Sequence, residues 1–190
     1  MIRSLLVLVL ASLLAGCALT DDSVTISYRP SDGPRIAEAG AVTLAVVDGR
    51  TSDRDRISTK INGYGMNMGA IRSATSVPEV VREALEAELK QRGFRVVSGG
   101  RVITATIDRF YNEFNSGAFS GSATSDVELA VTVADPSGTK LFAGVYKGAS
   151  EATIFIADGS NAAESLAAAL KDAIGKMFAD PEFRRSLVAA

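Results

Sequence analysis

Hydrophobic and polar positions along the chain repeat with two different periods, and these periods predict its strands and helices. An apolar run over residues 41–47, rich in β-branched side chains, predicts a central strand that is covered on both faces. Alternation over residues 101–114 and 126–134 predicts two further strands, and the turn at Asp135-Pro136-Ser137-Gly138 leads into a third over residues 140–156. We expect the last three to form an antiparallel meander.

Two helices are predicted by apolar residues that recur at three- and four-residue intervals. The first begins after Ser76, which has capping-box spacing to Glu79, and ends at Gly93. The second begins near residues 160–161, and a short helix follows at Pro181. This order of elements predicts an α+β fold, in which a largely antiparallel sheet of about five strands carries both main helices on one face.

The first seventeen residues have the pattern of a secretory signal that ends in a lipid-attachment site. Arg3 precedes an apolar core over residues 5–14, and small residues up to Gly16 lead to Cys17, the single cysteine of the sequence. The pattern resembles a bacterial lipoprotein signal. Cleavage between Gly16 and Cys17 then leaves the lipidated cysteine as the first residue of the mature protein. A membrane-spanning helix would need about 20 apolar residues, so the core over residues 5–14 is too short for one. An internal disulfide would need a second cysteine, which the sequence lacks.

This signal divides the chain into three parts. We expect a signal peptide over residues 1–16, a lipidated N-terminus and tether over residues 17–40, and a single α+β domain over residues 41–190. Acyl chains on Cys17 would hold the protein on a membrane without a spanning segment. Ala18 stands where an aspartate would resemble an inner-membrane retention signal, so we expect a lipid anchor in the outer membrane and a domain on its periplasmic face.

Composition narrows the chemistry that this domain can perform. The 190 residues include no histidine and no tryptophan, and 20 basic against 22 acidic side chains give a net charge of −2. Without imidazole the chain has no Ser-His-Asp arrangement and no histidine-based metal site. A weakly acidic chain without a basic run argues against a nucleic-acid partner. We therefore expect no catalytic residues, metal or cofactor, and a protein that is not an enzyme.

The best candidate for an interaction surface is a group of aromatic residues around a flexible link between two predicted strands. Phe110, Tyr111, Phe114 and Phe119 fall within ten residues of one another. Aromatic side chains are enriched at protein interfaces. They could therefore bind an envelope protein or a second copy of the chain at the tip of a two-stranded arm. The alternative is that they cover an edge of the core.

Two other patterns have simpler explanations than chemistry. Asp126 and Glu128 project from the same strand face and could form an acid/base pair for glycan hydrolysis, although a solvated strand face explains them equally. Gly63 and Gly65 superficially resemble a phosphate-binding loop, but their spacing is wrong for one. They lie in a predicted strand over residues 57–68, in which we expect a bulge.

The order of these parts resembles a known protein family. The signal with Cys17, the short tether, the helix leading into Arg92-Gly93-Phe94, the strand from Asp126 to Val133 and the final helix before Asp180-Pro181 are similar to the YajG-like lipoproteins of Gram-negative bacteria. The resemblance implies a small lipid-anchored α/β domain and brings no catalytic or binding residues. We expect a binding or scaffolding module of the cell envelope. The alternative is a lipid or small-ligand carrier auxiliary to envelope transport.

Overall fold

The described residues form two β-sheets and three helices, which confirms the predicted α+β class. The computed structural model describes residues 20–117 and 120–188. Within these residues the strands are β1 (Asp22–Val24), β2 (Ala41–Asp48), β3 (Ser58–Ile61), β4 (Asn67–Ser73), β5 (Arg95–Val96), β6 (Arg101–Asn115), β7 (Gly121–Ala134) and β8 (Lys140–Ile154). The helices are α1 (Val77–Gln91), α2 (Gly159–Ala179) and α3 (Pro181–Leu187).

The larger sheet is mixed and not largely antiparallel as predicted. Its strand order is β5-β2-β6-β7-β8, and β6, β7 and β8 form the predicted antiparallel meander. Strand β2, however, pairs in parallel with both β5 and β6. The chain passes from β2 to β6 through β3, β4 and α1, and a long crossover of this kind brings the next strand back in the same direction. The resulting sheet curls into a half-barrel.

The smaller sheet replaces the single strand that was predicted over residues 57–68. Its order is β1-β4-β3, and β3 and β4 form an antiparallel hairpin. The Asn62 carboxamide oxygen accepts hydrogen bonds from the backbone N–H groups of Tyr64 and Met66, at 2.9 and 3.0 Å. Gly65 adopts a φ of 77°, which favours glycine. Gly63 and Gly65 therefore lie in the turn of this hairpin, and the expected bulge is found beside it, where the register shifts between Lys60 and Ile61.

The segment that was predicted as a tether packs against the domain from Asp22 onward. Strand β1 pairs in parallel with β4, with Asp22 opposite Ile71. Further along, Ile26 is buried and belongs to the hydrophobic core. These contacts fix the segment from Asp22 onward along the domain surface. Gly16 and Cys17 lie outside the described residues.

One hydrophobic core joins the sheet to the helices. The apolar faces of α1 and α2 and the inward side chains of β2, β6 and β7 belong to a single cluster. Helix α2 lies very close to strand β8 at Gly148, where a Cβ atom would stand 2.0 Å from the carbonyl oxygen of Ala169. The missing side chain of Gly148 thus allows the helix backbone to approach the sheet.

The helix ends agree with the predicted signals. The Ser76 hydroxyl accepts a hydrogen bond from the N–H of Glu79 at 3.4 Å, and α1 is followed by Gly93 with a φ of 100°. Helix α2 begins one residue before the predicted range. Asp158 caps it, and the Asp158 carboxylate accepts from the N–H of Asn161 at 3.0 Å.

A chain of buried polar groups connects the two sheets. The Asn112 carboxamide donates to the Ser58 hydroxyl and accepts from the Ser125 hydroxyl, both at 3.0 Å, and all three residues are fully buried. The backbone N–H of Asn112 also donates to the carbonyl of Ile57 at 2.8 Å. Buried polar groups are costly unless they are hydrogen-bonded. This chain therefore fixes how β3 lies against β6.

Side chains of α2 block the middle of the sheet edge formed by β8. The Asp172 carboxylate accepts a hydrogen bond from the backbone N–H of Ala149 at 3.1 Å, and the Lys176 ammonium donates to the carbonyl oxygen of Lys147 at 2.9 Å. Unpaired backbone groups on an edge strand are a template for pairing with another chain. Their occupation by α2 disfavours strand addition at this position.

Candidate binding site

The predicted aromatic surface is mostly buried in the core. Phe110 is 1% exposed and Phe114 is 9% exposed. Tyr111 is half-buried, with its hydroxyl 3.2 Å from that of Thr59, and Phe119 lies outside the described residues. Strand β8 pairs with β7 along its whole length, so the predicted two-stranded arm is wrong. Phe110 and Phe114 cover a core edge, the alternative that the sequence left open.

A register shift in β6 explains this burial. Before the shift the odd-numbered residues Ile103 and Ile107 face the core, and after it the even-numbered Phe110 and Phe114 do so. The shift falls between Ile107 and Arg109. A β-bulge adds one residue to one strand and moves every later side chain to the opposite face. The alternation that appeared to end at Ile107 in the sequence therefore continues in the other phase.

The two carboxylates of β7 are each paired with a basic side chain. Asp126 lies 3.6 Å from Arg109, and Glu128 lies 2.9 Å from Lys147. Each pair joins neighbouring strands on the outer face of the sheet, which agrees with a solvated strand face. In residues 20–117 and 120–188, no cluster of three acidic, cysteine or histidine side chains could hold a metal ion.

A buried glutamate on α1 is the centre of a second polar group. Glu88 is fully buried, and its Oε1 accepts hydrogen bonds from the Tyr28 hydroxyl at 2.7 Å and from the Ser31 N–H at 2.6 Å and hydroxyl at 2.5 Å. Its Oε2 lies 3.2 Å from the guanidinium of Arg92, one helical turn further on. Burial alone would raise the pKa of Glu88, but these bonds outweigh it and hold the pKa below its usual value.

The Arg92 guanidinium is enclosed on two sides. Its carbon lies 4.2 Å from the ring centre of Phe178, in a cation–π contact. On another side is Gly33, where a Cβ atom would stand 2.0 Å from a terminal nitrogen of Arg92. Arg92 is only 7% exposed, and its Nε has no hydrogen-bond partner among the described residues. Oε2 of Glu88 also lacks a hydrogen-bond partner there, so the hydrogen-bonding capacity of the Glu88–Arg92 pair is incompletely satisfied.

Arg92 lines a cavity of about 720 Å³, which we call the arginine pocket. The pocket lies between residues 31–37, the end of α1, and helices α2 and α3. Its lining includes four arginines and a single acidic residue, Asp32. The arginines are Arg35, Arg92, Arg184 and Arg185. The three besides Arg92 are exposed and form no ion pair within the described part of the chain. The lining therefore carries an excess of positive charge over its one acidic residue.

The arginine pocket combines this charge with an apolar wall. Phe178, Ile36 and Val188 contribute apolar side chains to the lining. Guanidinium groups bind carboxylate and phosphate oxygens through paired hydrogen bonds. Ligand sites in proteins commonly combine an apolar lining with a few polar groups that fix orientation. The pocket can therefore hold a small anionic group that is attached to an apolar one.

Sequence reasoning missed this pocket, although one signal for it was present. Glu88 follows Ala84 by four residues and Leu85 by three, so it lies on the apolar face of α1. A charged residue at such a position is rarely buried unless it is paired. The pairing with Arg92 at four-residue spacing could have been predicted from this position. The approach of residues 31–37 could not, because it depends on tertiary packing.

Comparison with solved structures shows that the fold is shared with a distant protein. Protein XCC0632 from Xanthomonas campestris is 9% identical, matches over 86% of this chain and 96% of that one, and gives a TM-score of 0.62. A neuraminyllactose-binding hemagglutinin homolog from Helicobacter pylori is 9% identical over the same shares, with a TM-score of 0.43. Lipoprotein GNA1162 from Neisseria meningitidis is 13% identical, covers 74% and 98%, and has a TM-score of 0.28. The last two scores carry no argument about this chain.

The fold and pocket define a small α+β protein built around a half-barrel. A family model described as "Uncharacterized lipoprotein" matches residues 31–187, so the chain belongs to this family, the YajG lipoproteins. The resemblance drawn from the sequence is thereby confirmed. No curated protein matches the chain. Within the described ranges, no helix has both the length and the hydropathy needed to cross a bilayer.

Proposed function

We propose that this lipoprotein is a binding module of the cell envelope, held in the outer membrane by acyl chains on Cys17 and facing the periplasm. It binds an anionic envelope molecule in the arginine pocket and catalyses no reaction. Membership of a lipoprotein family supports the anchor. The residues of the pocket support the binding.

The observation that carries the binding role is the excess of arginine at the pocket, whose lining holds four arginines and one aspartate. Arg92 is more than nine-tenths buried and pairs with Glu88. Three exposed arginines at the same cavity add positive charge around it. Glu88 pairs with one of the four arginines, and a structural ion pair would not need the other three. The arrangement therefore favours the binding of an anion.

The apolar wall of the same pocket favours a second candidate, a carrier of a small lipid or similar ligand. A cavity of about 720 Å³ is within the range of small-molecule sites. The two candidates differ in whether the ligand leaves the membrane with the protein. Co-purification of a lipid with natively extracted protein, detected by mass spectrometry, would favour the carrier.

The binding role can be tested with anilinonaphthalene sulfonate, a dye that joins a sulfonate to apolar rings and fluoresces in apolar sites. We expect full-length lipidated protein to bind the dye, and we expect the double variant Arg184→Ala/Arg185→Ala to bind it at least about fivefold more weakly, because two cations are lost. Added salt should weaken binding to the wild type, since charge attraction at exposed arginines is screened.

The matched control removes the same charge away from the pocket. Arg95 and Lys140 are exposed and do not line the pocket, so Arg95→Ala/Lys140→Ala should bind the dye like the wild type. Equal loss in both double variants would mean that the dye responds only to net charge. No loss in either would contradict a binding role for the arginine pocket.

The anchor is tested separately. Labelled palmitate should be incorporated into the wild type and not into Cys17→Ser. A Cys17→Ser protein that still matured and sedimented with outer membranes would refute the proposed attachment.

A further inference from the structure

One end of the domain carries a group of exposed apolar side chains. Three segments meet there around a cavity of about 400 Å³: residues 61–63 at the β3–β4 turn, the ends of β6 and β7, and residues 154–157 after β8. We call this the apolar end. Its exposed large side chains are Phe155 at 86%, Ile156 at 67%, and, on the β3–β4 turn, Tyr64 at 90% and Met66 at 58%.

The sequence of the apolar end contains no charge over three separate stretches. Residues 61–69, 114–117 with 120–123, and 152–157 contain no lysine, arginine, aspartate or glutamate. Single exposed apolar side chains are normal, whereas a group of them on one surface marks an interaction site. Lys60, Glu113, Glu151 and Asp158 border these stretches, and the absence of charge within them lowers the cost of placing their side chains in an apolar environment.

The N-terminal end of the described chain lies beside the same turn. The carbonyl oxygen of Thr20 is 2.9 Å from the position that a Cβ on Gly69 would occupy, and the Asp22 carboxylate pairs with Lys60 at 3.0 Å. Strand β1 runs parallel to β4, so the chain enters from the end at which the β3–β4 turn lies. Cys17 precedes Thr20 by three residues, which span at most about 11 Å when fully extended.

The arginine pocket lies at the opposite end of the sheet. Val188, part of its lining, accepts a hydrogen bond from Arg101 at 3.2 Å, and Arg101 is the first residue of β6. Asn115, the last residue of β6, lines the cavity of the apolar end. At about 3.3 Å per residue, the fifteen residues of β6 separate the two ends by at most about 45 Å, since the strand is bulged and the sheet is curled.

We infer that the apolar end is seated in the lipid–water interface of the bilayer that holds the anchor, so that the arginine pocket faces away from the membrane. This inference rests on the lipid anchor of the proposed function. Tyr64 has an apolar ring and a polar hydroxyl, a combination that is enriched at membrane interfaces. Phe155, Ile156 and Met66 supply purely apolar contact. No basic residue lies in the three stretches, so the contact does not require anionic lipid.

The absence of tryptophan from the sequence provides a direct test. Phe155→Trp, made in the full-length lipidated protein, places a single tryptophan at the apolar end. In vesicles of zwitterionic phospholipid we expect its emission to shift to shorter wavelength. Phospholipid with brominated acyl chains should quench it, because the indole lies in contact with lipid.

Val97→Trp is the matched control. Val97 is 50% exposed, and its N–H donates to the carbonyl of Val42. Val42 pairs with Arg101, the first residue of β6, so Val97 lies at the end of the sheet that carries the arginine pocket. We expect brominated lipid to quench Phe155→Trp at least about threefold more strongly than Val97→Trp. Equal quenching of the two would overturn the inference. A shifted but unquenched Phe155→Trp would do the same, because another protein chain would then cover this end.

Vesicle flotation separates failure of this inference from failure of the anchor. Protein that floats with the vesicles but shows no quenching at position 155 retains the anchor and contradicts the seating of the apolar end. Protein that fails to float contradicts the anchor itself and, with it, the inference. Dye binding in the arginine pocket does not depend on either result.

Discussion

Replacing Glu88 by glutamine removes one buried charge with almost no change in shape. Oε1 of Glu88 accepts three hydrogen bonds, two from Ser31 and one from Tyr28. Hydrogen bonds to a charged acceptor contribute about 1.5–3 kcal/mol each, and neutral ones about 0.5–1.5 kcal/mol. The three bonds would therefore lose about 3 kcal/mol together if glutamine keeps them in place.

A second estimate starts from the ion pair. Removing one partner of a buried pair costs about 3–5 kcal/mol, because the remaining charge is left uncompensated. Here that charge is Arg92, which is 7% exposed. The two estimates count the same lost charge and are not additive. We expect Glu88→Gln to lower the free energy of unfolding by about 3–4 kcal/mol.

Urea denaturation followed by circular dichroism measures this loss. With a slope of about 2 kcal/mol per molar urea, the midpoint should fall by about 1.5–2 M at neutral pH. Glu86 provides the control on the same helix, since it pairs with Lys90 at 3.0 Å with the same four-residue spacing but is partly exposed. Glu86→Gln should cost no more than about 0.5 kcal/mol. Equal losses in the two variants would refute the reasoning.

The pH dependence gives a second readout of the same charge. The pKa of Glu88 is lowered from its ordinary value of 4.5, so the folded state binds its proton less tightly than the unfolded state does. The stability that Glu88 contributes is therefore complete above that value and is lost as the pH falls through the folded-state pKa. The difference in stability between the wild type and Glu88→Gln should shrink below about pH 4.5. A difference that stayed constant down to pH 2 would contradict this account.

Three further substitutions test the packing. Gly33→Ala should lower the free energy of unfolding by about 1–3 kcal/mol and weaken dye binding, because its Cβ would overlap the buried guanidinium of Arg92. Gly40→Ala is the control and should have neither effect, since no atom lies within 4 Å of its Cβ. Asn112→Ala should cost about 2–3 kcal/mol in urea denaturation, because two buried hydroxyls lose their partner. Gly148→Ala should lower the melting temperature, because its Cβ would overlap the backbone of α2. Gly175→Ala lies inside α2 with open space around it and should raise the free energy of unfolding by about 0.5–1 kcal/mol. A stabilising Gly148→Ala or a destabilising Gly175→Ala would refute this packing.

The helices and the meander were predictable because local patterns define them. The apolar stripe of α2, from Leu166 to Phe178, is buried as its spacing predicts. Ser76 and Gly93 mark the ends of α1 in the sequence and in the structure. Alternation over residues 126–134 identified the inward face of this part of β7, and in the structure the strand begins five residues earlier, at Gly121.

The parts that were mispredicted depend on partners that are distant in the sequence. The parallel pairing of β2 with β6 joins residues about 60 positions apart and leaves no local signal. The bulge after Ile107 shifts the phase of β6, so Phe110 and Phe114 could be read as exposed or buried. The arginine pocket needs residues 31–37, the end of α1 and two C-terminal helices to meet, and no periodicity predicts that meeting.

The segment from β1 to β2 links the two ends of the molecule. It enters beside the apolar end at Asp22, and near Ser31 it is fixed to α1 by the hydrogen bonds of Glu88. Two residues later Gly33 covers the guanidinium of Arg92, which forms one wall of the arginine pocket. The buried acid thus holds in place the segment that shapes the pocket. Loss of its charge should therefore impair dye binding as well as stability, since the segment that Glu88 holds also forms this wall.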